Sequence, residues 1–272
     1  MLISIITPVF NGEAHIQSCI SNVINQNCPT IEHIIIDGES TDKTVEIIKS
    51  FARQYPHIRW ISEKDNGQSD AMNKGIQLAK GEIIGFLNVD DFYEPATLNR
   101  ISELFKTLPE PSLLVGNCNV WDEKHQLLYV NKPSKIHLKE ILSGSPFPVN
   151  PSSYFYHKSI HTRIGNFETA EEYTMDVDFL LRAVQVAHIT YVNEVWGNFL
   201  FCEGTKTYDD MQNDHAFKRK KKLFQKYRQN LDPLSRFQSR INFLIYEIGR
   251  SCIRTLRALH INPDKLTQFV RH

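Results

Sequence analysis

Three things are scarce in this 272-residue sequence, and each scarcity removes a class of protein. Cysteine comes first. The five present, Cys19, Cys28, Cys118, Cys202 and Cys252, are odd in number and never spaced C-x-x-C. That argues against a disulfide framework and a zinc ribbon, and it makes a reducing cytoplasm the expected compartment. Glycine, at 12 residues, never falls into G-x-x-x-x-G-K-[ST] or G-x-G-x-x-G, which disfavours a P-loop enzyme and an ordinary dinucleotide dehydrogenase. Long apolar runs are the third scarcity. None approaches the ~20 residues that span a bilayer. The N-terminal run has no basic segment before it and is cut short by Pro8 and Asn11, so no secretion signal is expected.

Net charge is also absent, but only on average. Residues 1–210 hold 17 Lys and Arg against 27 Asp and Glu, whereas residues 211–272 hold 14 against 4. The shift marks an expected boundary between a main domain, 1–210, and a basic helical extension, 211–272.

What is present is a regular alternation. β-rich runs at 2–9, 31–36, 58–62 and 82–87 are separated by helical patterns over about 14–25, 42–55 and 69–79. Strands alternating with helices of this length are the signature of right-handed βαβ units on a parallel sheet, an α/β fold. Ligands of such sheets sit beyond the carboxyl ends of the strands. There the chain places Thr7, Asp37, Asp65 and, after Gly85-Phe86-Leu87-Asn88-Val89, the adjacent Asp90 and Asp91. Taken singly, turn and cap chemistry accounts for each acid as well as function does. Their joint placement on one edge favours a ligand. Carboxylates accept from base N–H groups and ribose hydroxyls, and two adjacent hard oxygen donors suit Mg²⁺ or Mn²⁺, whose shell substrate phosphates can complete.

After a helix over 95–108 the alternation breaks. Strand-like runs at 112–120, 127–131 and 153–156, with the loop Ser145-Pro146-Phe147-Pro148-Val149-Asn150-Pro151, predict a mixed sheet whose second half builds a substrate pocket. A capping-box match at Thr169-Ala170-Glu171-Glu172 precedes a helix over about 174–186, with Asp176 and Asp178 in its first turn. The helix dipole favours carboxylates there; a general base held at a helix end is the other reading. His157 and His161 are four apart but lack the Glu of H-E-x-x-H, and read as packing or surface histidines.

In this order the blocks resemble a family-2 glycosyltransferase of the GT-A fold over nearly all of residues 2–207. Thr7-Pro8-Val9-Phe10-Asn11-Gly12-Glu13 is similar to the family's opening strand and loop, and Asp37-Gly38-Glu39-Ser40-Thr41-Asp42-Lys43-Thr44 to its D-G-S-x-D-x-T segment. The run from Lys64 and Asp65 through Asp70 to Gly75 is similar to the segment before the metal site. Asn88-Val89-Asp90-Asp91 sits where the D-x-D motif lies, and Asp176-Val177-Asp178-Phe179-Leu180-Leu181-Arg182 resembles D-x-D-L-x-x-R. The resemblance implies an inverting transfer of a sugar from a nucleotide-diphosphate sugar to a hydroxyl of a glycan or lipid-linked acceptor, dependent on Mn²⁺ or Mg²⁺. It implies Thr7, Pro8, Phe10, Glu13, Asp37, Asp65, Asp70 and Asp90 on the nucleotide, and Asp91 with Asp90 on the metal, Asp91 making the direct contact. It also implies Asp176 as base, with Lys206 and Asp178 as diphosphate or acceptor contacts. Three departures stand out: Asn88 replaces the first acid of D-x-D, Met175 stands where an acid is frequent, and Leu200 and Cys202 stand where many relatives carry Arg-x-His. Two rivals are a nucleotidyltransferase, whose Gly-rich basic triphosphate loop is missing, and a non-catalytic nucleotide-sugar-binding scaffold, supported only by those departures.

In the extension, helices are expected over 214–229, carrying Lys218 to Lys222, and from Pro233 to about His260. Phe237, Ile241, Leu244, Ile245, Ile248, Cys252 and Leu256 recur there at near-helical spacing, flanked by Arg240, Arg250, Arg254 and Arg257. Such a stripe suits packing on the main domain or a second subunit, and equally an interfacial helix on anionic lipid at the inner face of the plasma membrane. Few aromatics interleave the charges, so no nucleic acid is expected as partner.

Overall fold

The computed structural model describes residues 1–170, 173–202, 208 and 215–258. Three consecutive βαβ units open it: β1 (Ile3–Val9), α1 (Ile16–Ile24), β2 (Ile31–Asp37), α2 (Thr44–Gln54), β3 (Ile58–Ser62), α3 (Gln68–Leu78) and β4 (Ile83–Phe86). β1 and β2 are buried along their whole length, as central strands covered on both faces must be. All four strands are parallel, in the order β3-β2-β1-β4. Their carboxyl ends therefore form one edge, with the ends of β2 and β4 two strand spacings, about 10 Å, apart.

Beyond β4 the sheet becomes mixed, through β5 (Phe92–Tyr93), α4 (Thr97–Phe105), β6 (Ser112–Trp121), β7 (Leu127–Asn131), α5 (Leu138–Leu142) and a 3₁₀ turn at Pro151–Ser153. β8 (Tyr154–His157), α6 (Ile160–Ile164), α7 (Met175–Ala183) and β9 (His188–Leu200) follow. β8 runs antiparallel between β4 and β6, and β9 lies parallel to β6. Phe155 pairs with Gly85, so the start of β8 stands at the same edge as the end of β4. β9 was not foreseen from the sequence. Its alternation is interrupted by Asn193, Glu194 and Asn198, and its pairing with β6 shifts register twice near Asn117. Asn198 is fully buried, but its amide is satisfied by Trp121, Asn119 and Glu94, a solution that only the folded sheet provides.

The extension supplies α8 (His215–Arg228) and α9 (Pro233–Ala258). Phe224, Tyr227 and Phe243 are buried in the same cluster as Phe179 and Leu180 of α7, so these helices enlarge the main core. The expected stripe of α9 takes no part in that packing: Phe237, Ile241 and Ile245 are exposed, on the side of the helix away from Phe243. Among the described residues no helix is long and apolar enough to cross a membrane.

Candidate active site

At the β2 end, Asp37 is fully buried. Its Oδ2 accepts from the Ser62 hydroxyl at 2.6 Å and the Ser40 N–H at 3.1 Å, while Oδ1 is buried with no partner. A buried acceptor left unmet is costly, and a ligand N–H or hydroxyl is the group that would meet it. Gly38 follows because a Cβ there would stand 2.6 Å from Asp65 Oδ2; its absence lets Asp65 lean against the end of β2. The β1–α1 and β2–α2 loops are laced together beside this pair. Asn11 accepts from the Thr41 N–H at 2.9 Å, Glu13 from the Lys43 N–H at 3.0 Å, and the Gly12 N–H donates to Thr44 Oγ1 at 2.8 Å. Phe10, on the same loop, is 64 % exposed.

Three residues expected on the nucleotide are turned elsewhere. The Thr7 hydroxyl lies 2.9 Å from His33 Nε2 in the core, and Pro8 is buried within β1. Both faces of β1 are covered, so neither side chain is presented at the carboxyl edge. Asp70 accepts from the Asn66 N–H at 3.0 Å and stands 3.8 Å from Lys74, which ties it to the start of its own helix. His157 accepts from the Ser112 N–H and His161 meets Tyr156 and Gly165, as packing histidines do.

Asp90 and Asp91 differ sharply. Asp91 is 3 % exposed; its Oδ2 accepts from the Asn150 amide at 2.7 Å and the Asn88 amide at 2.9 Å, and the Leu200 N–H stands 3.4 Å from Oδ1. Asn88 is itself held by Gln68 at 3.0 Å. Asp90 remains partly exposed and accepts no hydrogen bond from another side chain among the described residues. Burial raises the pKa of Asp90, and burial followed by the neighbouring Asp90 charge raises that of Asp91 well above the carboxylate range. Two carboxylates so placed resist joint ionisation, and a divalent cation would relieve both. Among the described residues no three His, Cys, Asp or Glu groups converge as a metal cage. Adjacent carboxylates are donors of the kind that Mg²⁺ or Mn²⁺ accepts, one or two at a time, with other ligands taken from a phosphorylated substrate. Cys202 lies close by at the end of β9: burial first, and then Asp90, push its thiol pKa up. Lys206 lies outside the described residues.

Asp176 opens α7. Its carboxylate accepts its neighbour's N–H, from Val177, at 2.8 Å. The residue keeps some exposure, yet its carboxyl is enclosed by protein, and burial raises its pKa from 3.8 to about 6. It stands near Tyr154, opposite the end of β4: burial, then the Asp176 charge, raise the pKa of that phenol. The start of α3 joins this acid to the other pair, since Gln68 holds Asn88 while the next residue, Ser69, donates to the Met175 sulfur at 2.6 Å. Asp178 is occupied. Arg182 Nε donates to one of its oxygens at 2.7 Å and the Tyr227 hydroxyl to the other at 2.7 Å, so it ties α7 to α8. Sequence reasoning missed Ser62, Gln68, Asn150 and Tyr227 as partners of these acids. Asn150 alone carried a signal, as the amide of a proline-rich loop.

A parallel βαβ ladder, a curled mixed second half and carboxylates along one edge define the GT-A class of glycosyltransferase folds. The chain belongs to glycosyl transferase family 2, whose model matches residues 4–165. It is 28 % identical over 200 residues to an uncharacterised glycosyltransferase of Rickettsia typhi, covering 71 % of this chain and 62 % of that one. To the chondroitin synthase of Escherichia coli it is 28 % identical over 220 residues, 80 % of this chain and 32 % of the relative. The chain thus spans less than two thirds of the length of these relatives. Among solved structures, TarS 1–349 of S. aureus superposes with a TM-score of 0.71 at 17 % identity, covering 99 % of this chain and 78 % of that chain. The same TarS segment has been solved with UDP-GlcNAc, and a mannosyltransferase of Pyrobaculum calidifontis, at a TM-score of 0.60, 14 % identity and coverage of 98 % and 82 %, with GDP-Man and Mn²⁺.

Proposed function

We propose that this chain is a divalent-metal-dependent, inverting glycosyltransferase that moves a sugar from a nucleotide-diphosphate sugar to a hydroxyl of a glycan or lipid-linked acceptor. The carrying observation is a pair of carboxylates with no side-chain donor among the described residues, Asp90 and Asp176, whose neighbours Asn88 and Met175 are held by the adjacent Gln68 and Ser69. Asp37, with its orphaned Oδ1, and Asp65 would hold the nucleoside, with Glu13 and Phe10 on the loop beside them. Asp90, rather than the buried Asp91, would make the direct metal contact. Asp91 would fix the loop by holding Asn88 and Asn150. The bound cation would act as a Lewis acid on the leaving diphosphate.

Asp176 supplies the base. In its ionised form it takes the proton of the acceptor hydroxyl as that oxygen bonds to the anomeric carbon. The bond from that carbon to the diphosphate oxygen breaks, and its electron pair leaves with the nucleoside diphosphate. Attack opposite the leaving group inverts the anomeric centre, with no covalent enzyme intermediate. A recessed carboxyl with a pKa near 6 suits this work, being mostly ionised at neutral pH while still basic. The nucleotide sugars bound by the structural neighbours make UDP- and GDP-sugars the first donors to test. A thermal-shift screen of UDP-, GDP-, dTDP- and CDP-sugars, each with and without Mn²⁺ or Mg²⁺, should show a metal-dependent rise with one base. No rise with any of them, together with no donor consumption, would reject the reading.

A further inference from the structure

A cationic site lies between α8 and α9. These helices enclose a cleft of about 460 Å³ whose lining includes Lys221, Arg228, Arg236, Arg240, Leu244 and Glu247. Four cations face one carboxylate. That carboxylate is paired with Lys221 at 2.7 Å and also faces Arg228, so four cations share one acid in the cleft. Arg236 spends its donors on the carbonyls of Arg228, Gln229 and Leu231. Arg228 is only 5 % exposed, with one donor on the Leu142 carbonyl and its Nε buried without a partner. Its guanidinium lies 4.7 Å from the centre of the Phe243 ring. Burial, and then Arg240, lower its pKa, so its charge is held at a cost that an anion in the cleft would offset.

The neighbouring face of α9 is apolar and open. Leu234, Phe237, Ile241, Leu244, Ile245 and Ile248 are each at least 43 % exposed and recur every three or four residues, which lays them along one stripe. Leu244 belongs to both the stripe and the cleft, so the apolar face and the cationic cleft adjoin. Isolated exposed apolar residues need no explanation, but a continuous row does. A row beside a guanidinium-lined cleft matches an anionic amphiphile, with phosphate on the arginines and acyl chain against the helix.

We propose that the α8–α9 cleft binds the phosphate of an anionic phospholipid while the stripe of α9 lies in the acyl boundary of the same leaflet, attaching the protein to the membrane surface. This site acts independently of donor chemistry, so its failure and that of the glycosyltransferase reading are separately visible. Co-sedimentation of the full chain with phosphatidylcholine vesicles, with and without phosphatidylglycerol, tests it, alongside a thermal-shift titration with inorganic phosphate and glycerol phosphate. The expected result is binding to the anionic vesicles and not to the neutral ones. Arg240→Gln, at an exposed position, should weaken it about fivefold and Ile245→Asp about tenfold or more, with melting temperature and donor-dependent shift unchanged. Arg228→Gln is a third probe, interpreted only if its melting temperature holds. Equal binding to both vesicles, or no loss in the first two variants, would overturn the proposal. A response to soluble phosphate with no vesicle binding would also overturn it, by making the cleft a site for free anions.

Discussion

The candidate site holds two pairs of neighbouring acids, Asp90 with Asp91 and Asp176 with Asp178, and the fold treats both in the same way. In each pair one carboxylate is buried and bound by protein donors: Asp91 by Asn88 and Asn150, Asp178 by Arg182 and Tyr227. The other is left without a side-chain donor at the edge of the sheet. Close spacing in sequence produces this division, because side chains one apart at a strand end, or two apart in a first helical turn, do not face the same way. A pair of acids in a motif is therefore not a pair of ligands. One member can be the anchor that sets the position of the other.

The largest effects should fall on Asp90 and Asp176, the two acids with no side-chain donor among the described residues. Asp176→Asn should lower kcat by about 10³-fold, within the range for a lost general base, with the donor-dependent thermal shift retained. In the parent protein kcat should fall as pH drops through about 6, the folded-state pKa of Asp176, and the limb should vanish in the residual activity of the variant. Stability runs in the opposite sense. A carboxyl whose pKa is raised from 3.8 to about 6 carries no penalty below the lower value. It destabilises the fold increasingly across that window, by up to about 3 kcal/mol above it. Asp176→Asn should therefore melt no lower than the parent at neutral pH.

Asp90→Asn should cost about 10²-fold or more in turnover and abolish the metal dependence of the donor shift, since a Lewis-acid contribution is worth several kcal/mol. Its neighbour should respond first in stability. Asp91→Ala leaves the Asn88 and Asn150 amides without the oxygen to which both donate, in a buried place, at about 1–3 kcal/mol. If Asp91→Ala instead removes the metal response with the melting temperature unchanged, the division within that pair is wrong.

Asp178→Asn should destabilise by about 1–3 kcal/mol, because the half-buried Arg182 loses its carboxylate partner, and should lower kcat far less than Asp176→Asn. A larger catalytic than structural effect would break the symmetry between the pairs. The smallest effect belongs to Tyr227→Phe, which removes one hydrogen bond to a charged acceptor and should cost about 1.5 kcal/mol in denaturant unfolding. That loss would register the extension as part of the main core.

Much of the first half was legible, because βαβ units declare themselves through local periodicity. β1, β2, β3 and β4 fall within a residue or so of the apolar runs, and Asp37, Asp65 and Asp90 stand at or beyond the strand ends as expected. β9 and the two-residue β5 were not legible. Their pairing is long-range, with Phe92 against Asn198, and amides buried in the sheet disguise the alternation. The same limit applied to the acids: which oxygen is free depends on partners as distant in sequence as Asn150 is from Asp91 and Tyr227 from Asp178.

By itself, then, the sequence determined the fold class, the edge on which the acids gather and the amphipathic character of the tail, since periodicity and turn chemistry are local properties. Only the tertiary structure decided which acid of each pair is anchored, which face of α9 stays open, and that Arg228 is buried with an unmet donor. Those outcomes depend on burial and on hydrogen-bond partners, and both are set by segments that meet only when the chain is folded.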